Sequence, residues 1–265
     1  MSGILDIILD HKKQEVEAAR IRTPLADLKQ KALDREPGRG FSLRLKEPGR
    51  FGANIIAEIK RASPSAGSIR ADLDAGAQAG AYERGGAEAL SVLTDQRFFS
   101  GTPEDLQAAR AACLLPVLRK DFIVSEYQVW ESAAMGADAV LLIVRALDPG
   151  FLRHALSLCA EVGLDALVEV HGEEELQTAL DAGAALLGVN NRDLSTFTTD
   201  LAVTERIAAL VPPAVALVAE SGVSERAHIT RLLSAGVHNF LIGTALAGHP
   251  DPAAKLAELL GRAGQ

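Results

Sequence analysis

The chain has 265 residues, 48% of them hydrophobic and 23% charged, which excludes a disordered chain and leaves room for a large core. Against 35 Asp and Glu stand 27 Lys and Arg, a net charge of −8. That balance argues against nucleic acid or an anionic membrane as the main partner, but not against a small anionic substrate gripped by local cations and backbone amides.

In chain order, Met1 to Asp6 carries an early acid and too short an apolar run for a signal peptide. Ile4, Leu5, Ile8, Leu9 and Val16 then fall near helical spacing, with Lys12, Lys13, Glu15 and Glu17 between them as an expected solvated face. Thr23-Pro24 reads as a cap followed by Pro in the first turn of a second helix. Roughly the first 50 residues are therefore expected to form a helical extension packed on the rest.

Asn54–Lys60 is the first expected strand. Four later segments repeat a small-residue step before an apolar run: Gly86 to Leu93, Gly136 to Ile143, Gly183 to Val189 and Gly236 to Gly243. In each, the glycine is expected to end a helix and a buried strand to follow. Leu114–Arg119, Ala166–Val170 and Ala214–Ala219 supply three more strands. Eight buried strands alternating with helices predict a parallel sheet closed into a (β/α)8 TIM barrel, a single domain over residues 1–265. No G-x-G-x-x-G follows a strand and no P-loop occurs, which lowers the open-sheet alternative. Cys113 and Cys159 lie in Ala- and Leu-rich stretches and read as buried thiols of a reducing cytoplasm. No run reaches 18 apolar residues, so no segment is expected to span a membrane.

Barrel chemistry sits at the C-terminal strand ends. Glu58 and Lys60 are two apart and point to one side of the first strand, with Ile55, Ala57 and Ile59 on the other. Glu169 opposes Val168 and Val170 in the same way, and Lys120 closes an apolar strand. A salt bridge closing the barrel top would explain any one of these charges; several converging on one mouth favour a binding site. Ser221-Gly222 and Gly243-Thr244 follow the last two strands and predict a phosphate cradle, with a short helix starting at Thr244. The loop Arg61 to Ser68 is expected to be a mobile lid. His11, His154, His228, His238 and His249 lack ligand spacing, His171 suits a loop hydrogen bond, and no metal is expected.

Taken in order, these strand ends resemble the indole-3-glycerol-phosphate synthase family. The matching motifs are Ala57 to Ser65 (E-x-K-x-x-S-P-S), Leu118 to Ile123 (K-D-F), Gly136 to Ile143, Leu167 to His171, Gly188 to Leu194 and Ala219 to Gly222, and they cover essentially the whole chain. Two features depart from the family pattern: no basic residue stands near Ala66, and Ala247 to Pro252 diverges.

The resemblance implies a cofactor-free reaction on 1-(2-carboxyphenylamino)-1-deoxyribulose 5-phosphate. The ring carbon bearing the carboxylate attacks the ketone, carbon dioxide leaves, then water leaves. Lys120 is then the expected proton donor to the developing alkoxide and Glu169 the base for dehydration. Lys60 becomes a second cation at the phosphate or the departing water, with Glu58 orienting the lysines. Asn190 and Arg192 hold polar groups of the substrate, and Ser221 belongs to both the catalytic and the phosphate sets. Ser63 and Glu220 contact substrate; Phe99, Phe122 and Leu142 line the slot for the aromatic ring. The expected partner is a small phosphorylated anion, met by a monomer or weak homo-oligomer. On the residues alone an isomerase resembling phosphoribosylanthranilate isomerase and a non-enzymatic phospholigand sensor stay open.

Overall fold

The computed structural model describes residues 3–64, 67–193, 196 and 198–262. Ser65 and Ala66 of the expected lid, and Leu194 of the Gly188 motif, lie outside the described residues. Eight parallel strands close into a barrel: β1 Asn54–Ile59, β2 Ala89–Leu93, β3 Val117–Lys120, β4 Ala139–Ile143, β5 Asp165–Val170, β6 Leu186–Asn190, β7 Ala216–Glu220 and β8 Asn239–Ile242. Neighbours in sequence pair in space, and β8 closes on β1 through a register running from Asn54↔Asn239 to Ala57↔Ile242. With helices between the strands, this is the (β/α)8 barrel expected. β3 and β7 begin later than expected, β3 directly after Pro116, which has no N–H to give a ladder.

Strand alternation divides the core in two. Ile56, Leu118, Leu141, Leu167, Val218 and Leu241 fill the barrel interior. Ile55, Ala57, Leu90, Val140, Leu142, Val168 and Phe240 pack outward under the helices. Gly86, Gly136, Gly183 and Gly236 all adopt positive φ, between 81° and 95°, where each helix turns back into a strand. A side chain would be strained there, so the repeated glycine is a requirement of the turn.

The extension comprises α1 Ile4–Arg22, α2 Leu25–Leu33 and α3 Phe41–Arg44. It grips both ends of the barrel. Ile8 of α1 is buried, and Ile4 and Leu5 join it over the C-terminal mouth. At the opposite end, Phe41 and Leu45 plug the interior, and Ser42 bonds through N and Oγ to Asp165 at the start of β5 (2.8 and 2.7 Å). Two expectations for the extension are corrected. Thr23 caps the C-terminus of α1, and Pro24 occupies the N-cap of α2. Lys12 is not on a solvated face: its side chain is 1% exposed, with Nζ 2.9 Å from both Asp95 and Asp121. Lys13 and Glu17 are exposed as expected.

Candidate active site

The C-terminal strand ends enclose a cavity of 640 Å³. Each strand contributes the side chain whose parity turns it inward at its last positions. β1 gives Glu58 and, just past its end, Lys60; their Oε1 and Nζ lie 2.6 Å apart. β3 gives Lys120, β5 Glu169 and β7 Glu220. Lys120 Nζ lies 3.1 Å from Glu169 Oε2 and 2.5 Å from Glu220 Oε2. Asn190, ending β6, donates through Nδ2 to Glu169 Oε1 (3.3 Å), and its own Oδ1 accepts from the Arg192 peptide N–H (3.1 Å). Ser63, Phe99, Phe122, Arg192, Ser221, Gly222, Gly243 and Thr244 also line the cavity.

Three buried carboxylates and two lysines share this small volume, so their protons are not independent. Burial alone would lower the Lys120 pKa; Glu220, Glu169 and Glu58 outweigh it and hold the ammonium protonated well above its ordinary range. Burial opposes ionisation of Glu169 too, but the Lys120 charge and the bonds from Lys120 and Asn190 keep its pKa below the usual carboxylate value. Glu220 moves the other way: burial raises it and the Glu169 and Glu58 charges add to that, against the pull of Lys120. The arrangement thus holds a proton-rich cation beside one ionised carboxylate and one that protonates more readily. Neighbouring titratable groups with opposed shifts suit acid and base roles in one site.

The apolar side of the cavity is formed by Phe99 and Phe122, ring centroids 6.1 Å apart, with Leu141, Ile143, Ile4, Leu5 and Ile8. Leu142, expected in this slot, is corrected: it is fully buried on the outer face of β4, and alternation places Leu141 and Ile143 inward in its stead. At the expected phosphate end Ser221 has φ 60° and Gly222 φ 82°, successive left-handed residues that turn the chain sharply beside the cavity. A Cβ on Gly222 would stand 2.5 Å from Thr199 Cγ2. Gly243 leads into the four-residue helix Thr244–Ala247. A Cβ there would stand 2.1 Å from Glu58 Oε1, so the bare backbone also makes room for the Glu58–Lys60 pair.

Sequence reasoning missed three contributors. Gly188 on β6 leaves space for the Glu220 carboxylate. Asn191 bonds the Glu220 and Ser221 carbonyls through Nδ2 and accepts from Thr204, fixing the end of β7. His171, read as a loop residue, has its side chain buried with Nε2 3.4 Å from Glu169 Oε1. Parity could have found Gly188, and the two-residue step from Glu169 could have found His171; Asn191 depends on contacts with the end of β7, about thirty residues on.

A family model described as indole-3-glycerol phosphate synthase matches residues 5–259. Two relatives named indole-3-glycerol phosphate synthase are each 52% identical over 261 residues. One is from Syntrophobacter fumaroxidans, covering 98% of both chains; the other is from Desulfosudis oleivorans, covering 98% of this chain and 99% of its own. Among solved structures, a thiamine phosphate pyrophosphorylase from Pyrococcus furiosus superposes with a TM-score of 0.62 at 18% identity, over 83% of this chain and 97% of that one. An N-acetylmannosamine-6-phosphate 2-epimerase from Clostridium perfringens gives 0.60 at 14% identity, over 77% and 90%. At such identities these two structures speak for the shared fold alone.

Proposed function

The chain belongs to the indole-3-glycerol phosphate synthase family, and from that premise we propose how its barrel mouth performs the reaction. The enzyme is a lyase that closes the ring, expels carbon dioxide and removes water to give indole-3-glycerol phosphate. The observation carrying the assignment of roles is Lys120 held between Glu169 and Glu220 next to an apolar slot.

The substrate's phosphate lies against the backbone at Ser221-Gly222 and Gly243-Thr244, with Lys60 as the near cation. Its aromatic ring occupies the slot between Phe99, Phe122, Leu141 and Ile143, with Ser63 at the edge. As the ring carbon attacks the ketone, negative charge grows on oxygen, and Lys120 delivers a proton there. Carbon dioxide then departs into apolar surroundings, where the dispersed charge of the leaving carboxylate is better tolerated than the localised one. Arg192 and Asn190 steady the polar groups; a tighter grip on the carboxylate would favour the ground state and slow its loss. Glu169 removes the proton that accompanies loss of water, with Lys60, held by Glu58, assisting the departing hydroxyl. Glu220 positions Lys120 and contacts substrate through it. No cofactor enters these steps.

The working unit of this reading is a monomer or weak homo-oligomer. Two free buried cysteines suit a cytoplasmic setting. The isomerase and sensor alternatives lose their ground with family membership.

Supplying 1-(2-carboxyphenylamino)-1-deoxyribulose 5-phosphate should release carbon dioxide and give indole fluorescence. Lys120→Met and Glu169→Gln should each cut kcat about 100-fold or more while substrate still binds. Wild-type turnover in either variant would overturn its assigned role.

A further inference from the structure

The route away from Glu169 leads to a histidine that the steps above leave unused. His171 follows β5 with its side chain 4% exposed. Its Nδ1 lies 3.2 Å from Glu175 Oε2, and the same oxygen accepts the His171 peptide N–H at 2.9 Å. Arg145 holds the other oxygen, Glu175 Oε1, through Nε and Nη2 (2.9 and 2.7 Å). Burial opposes ionisation of Glu175, but the bonds from His171 and Arg145 outweigh it, so this carboxylate stays below its usual range. An ionised Glu175 can only accept, which places the first ring proton on Nδ1.

That tautomer leaves Nε2 as an acceptor, buried and without a hydrogen bond, facing Glu169 Oε1 at 3.4 Å. Two acceptors face each other while Glu169 is ionised. Once Glu169 carries a proton on Oε1, the contact becomes a hydrogen bond. The unmet acceptor is therefore complementary to the state of Glu169 after it has acted as base, and a contact made only then lowers the barrier to reaching it.

We propose that His171 shares the proton that Glu169 takes from the substrate, beside a polar side cavity that the ring also lines. The inference rests on Glu169 being the base, as assigned above. The substrate's bond to hydrogen breaks with its electron pair left on the substrate, and Oε1–H forms. Oε1–H then breaks as Nε2–H forms, giving an ionised Glu169 and an imidazolium that keeps Nδ1–H on Glu175. When product leaves, Nε2–H breaks as Oε1–H re-forms, and Glu169 gives that proton to water in the emptied mouth, which restores the starting tautomer. The side cavity, 250 Å³, is lined by His171, Asn190, Arg145, Arg192, Asp193 and Asp200 among others, a polar space able to hold water. The charged groups around the pair are thus Lys120 and Glu220 on the substrate side, Glu175 and Arg145 behind the ring, and Arg192, Asp193 and Asp200 at the side cavity.

His171 acts through Glu169, so the test must separate it from packing. His171→Asn keeps a donor to Glu175 and removes the Nε2 acceptor. It should lower kcat about 10-fold with KM within about 2-fold. The acid limb of its kcat–pH profile should move to lower pH, because a pair with two places for a proton binds the first one more tightly than Glu169 alone. His171→Gln, which offers an acceptor that cannot carry the proton, should fall between. Glu175→Gln, on a more accessible side chain, should shift the limb the same way by less and serves if His171→Asn does not fold. A kcat within 2-fold of wild type, an unmoved limb, or a limb displaced upward (His171 as donor to an ionised Glu169) would each overturn the proposal. Glu169→Gln runs alongside: normal turnover there removes the base assignment itself, whereas an inactive Glu169→Gln with an unchanged His171→Asn removes only the proton sharing.

Discussion

At Gly188 the barrel wall is bare where the Glu220 carboxylate lies, and a Cβ there would stand 2.0 Å from Glu220 Oε1. Glu220 is buried on β7 and holds Lys120, so it has little freedom to retreat. Gly188→Ala should therefore push the carboxylate off Lys120. A Lys120 with one partner less would be aimed less well at the oxygen it protonates, and a misplacement of this size costs of the order of 100-fold in rate. The expected result is a loss of kcat between about 10- and 100-fold in steady-state assays, larger than the change in KM, because the contact concerns the reacting proton and not the phosphate. Unaltered kcat in Gly188→Ala would mean that Glu220 does not need its present position.

α1 depends on one buried lysine for its seat over the mouth. Lys12 meets Asp95 after β2 and Asp121 after β3, and Asp121 is shared with Arg119 (3.0 Å) and Thr94 (2.7 Å). Burial would lower the Lys12 pKa, but Asp121 and Asp95 hold it raised; burial likewise opposes Asp121, which Arg119 and Lys12 hold low. A raised lysine keeps its contribution until pH climbs through the alkaline range, and a depressed aspartate keeps its own until pH falls through the acid range. The seat of α1 is thus constant near neutrality and weakens below about pH 4, where carboxylates of the unfolded chain take up protons. Lys12→Met leaves Asp95 buried without its cation and Asp121 with Arg119 alone. It should cost about 3–5 kcal/mol in urea unfolding at pH 7, and a loss under about 1 kcal/mol would show that α1 is seated by its apolar face alone. Lys12 stands four residues from both Ile8 and Val16, on their buried face of α1, yet its charge argued for solvent, and nothing in the sequence pointed to Asp95 and Asp121, which only the closed barrel brings near. Strand periodicity was the stronger guide. It put Glu58, Lys60 and Glu169 inward from sequence alone, and the one slot residue that lies on a strand, Leu142, chosen without it, faces the helices.

The molecule separates what it does from what keeps it closed. The charged groups of the cavity stand at the C-terminal strand ends, and α3 seals the other end with Phe41 and Leu45. The C-terminal end was legible because its residues recur at one position in every strand, after glycine turns whose conformation the chain cannot avoid. The plug was not, since Phe41 lies in a short segment whose partners Ile56, Ala89, Leu118 and Leu167 belong to four different strands. Such a division makes a prediction about distance. Phe41→Ala empties a fully buried aromatic site among rigid strand residues, which costs about 3–5 kcal/mol because the walls relax only in part. For a chain of this size each kcal/mol moves the midpoint by about 2–4 °C, so Tm should fall by roughly 10 °C in calorimetry. The cavity is far along the strands from Lys120 and Glu169, and strands tied on both sides do not carry a local void to their other end. At 25 °C kcat should then stay within about 2-fold of wild type. If kcat dropped sharply while Tm held, the plug would have to be counted as part of the active end, and packing along the barrel axis, not the strand ends alone, would be setting the geometry of the acid and the base.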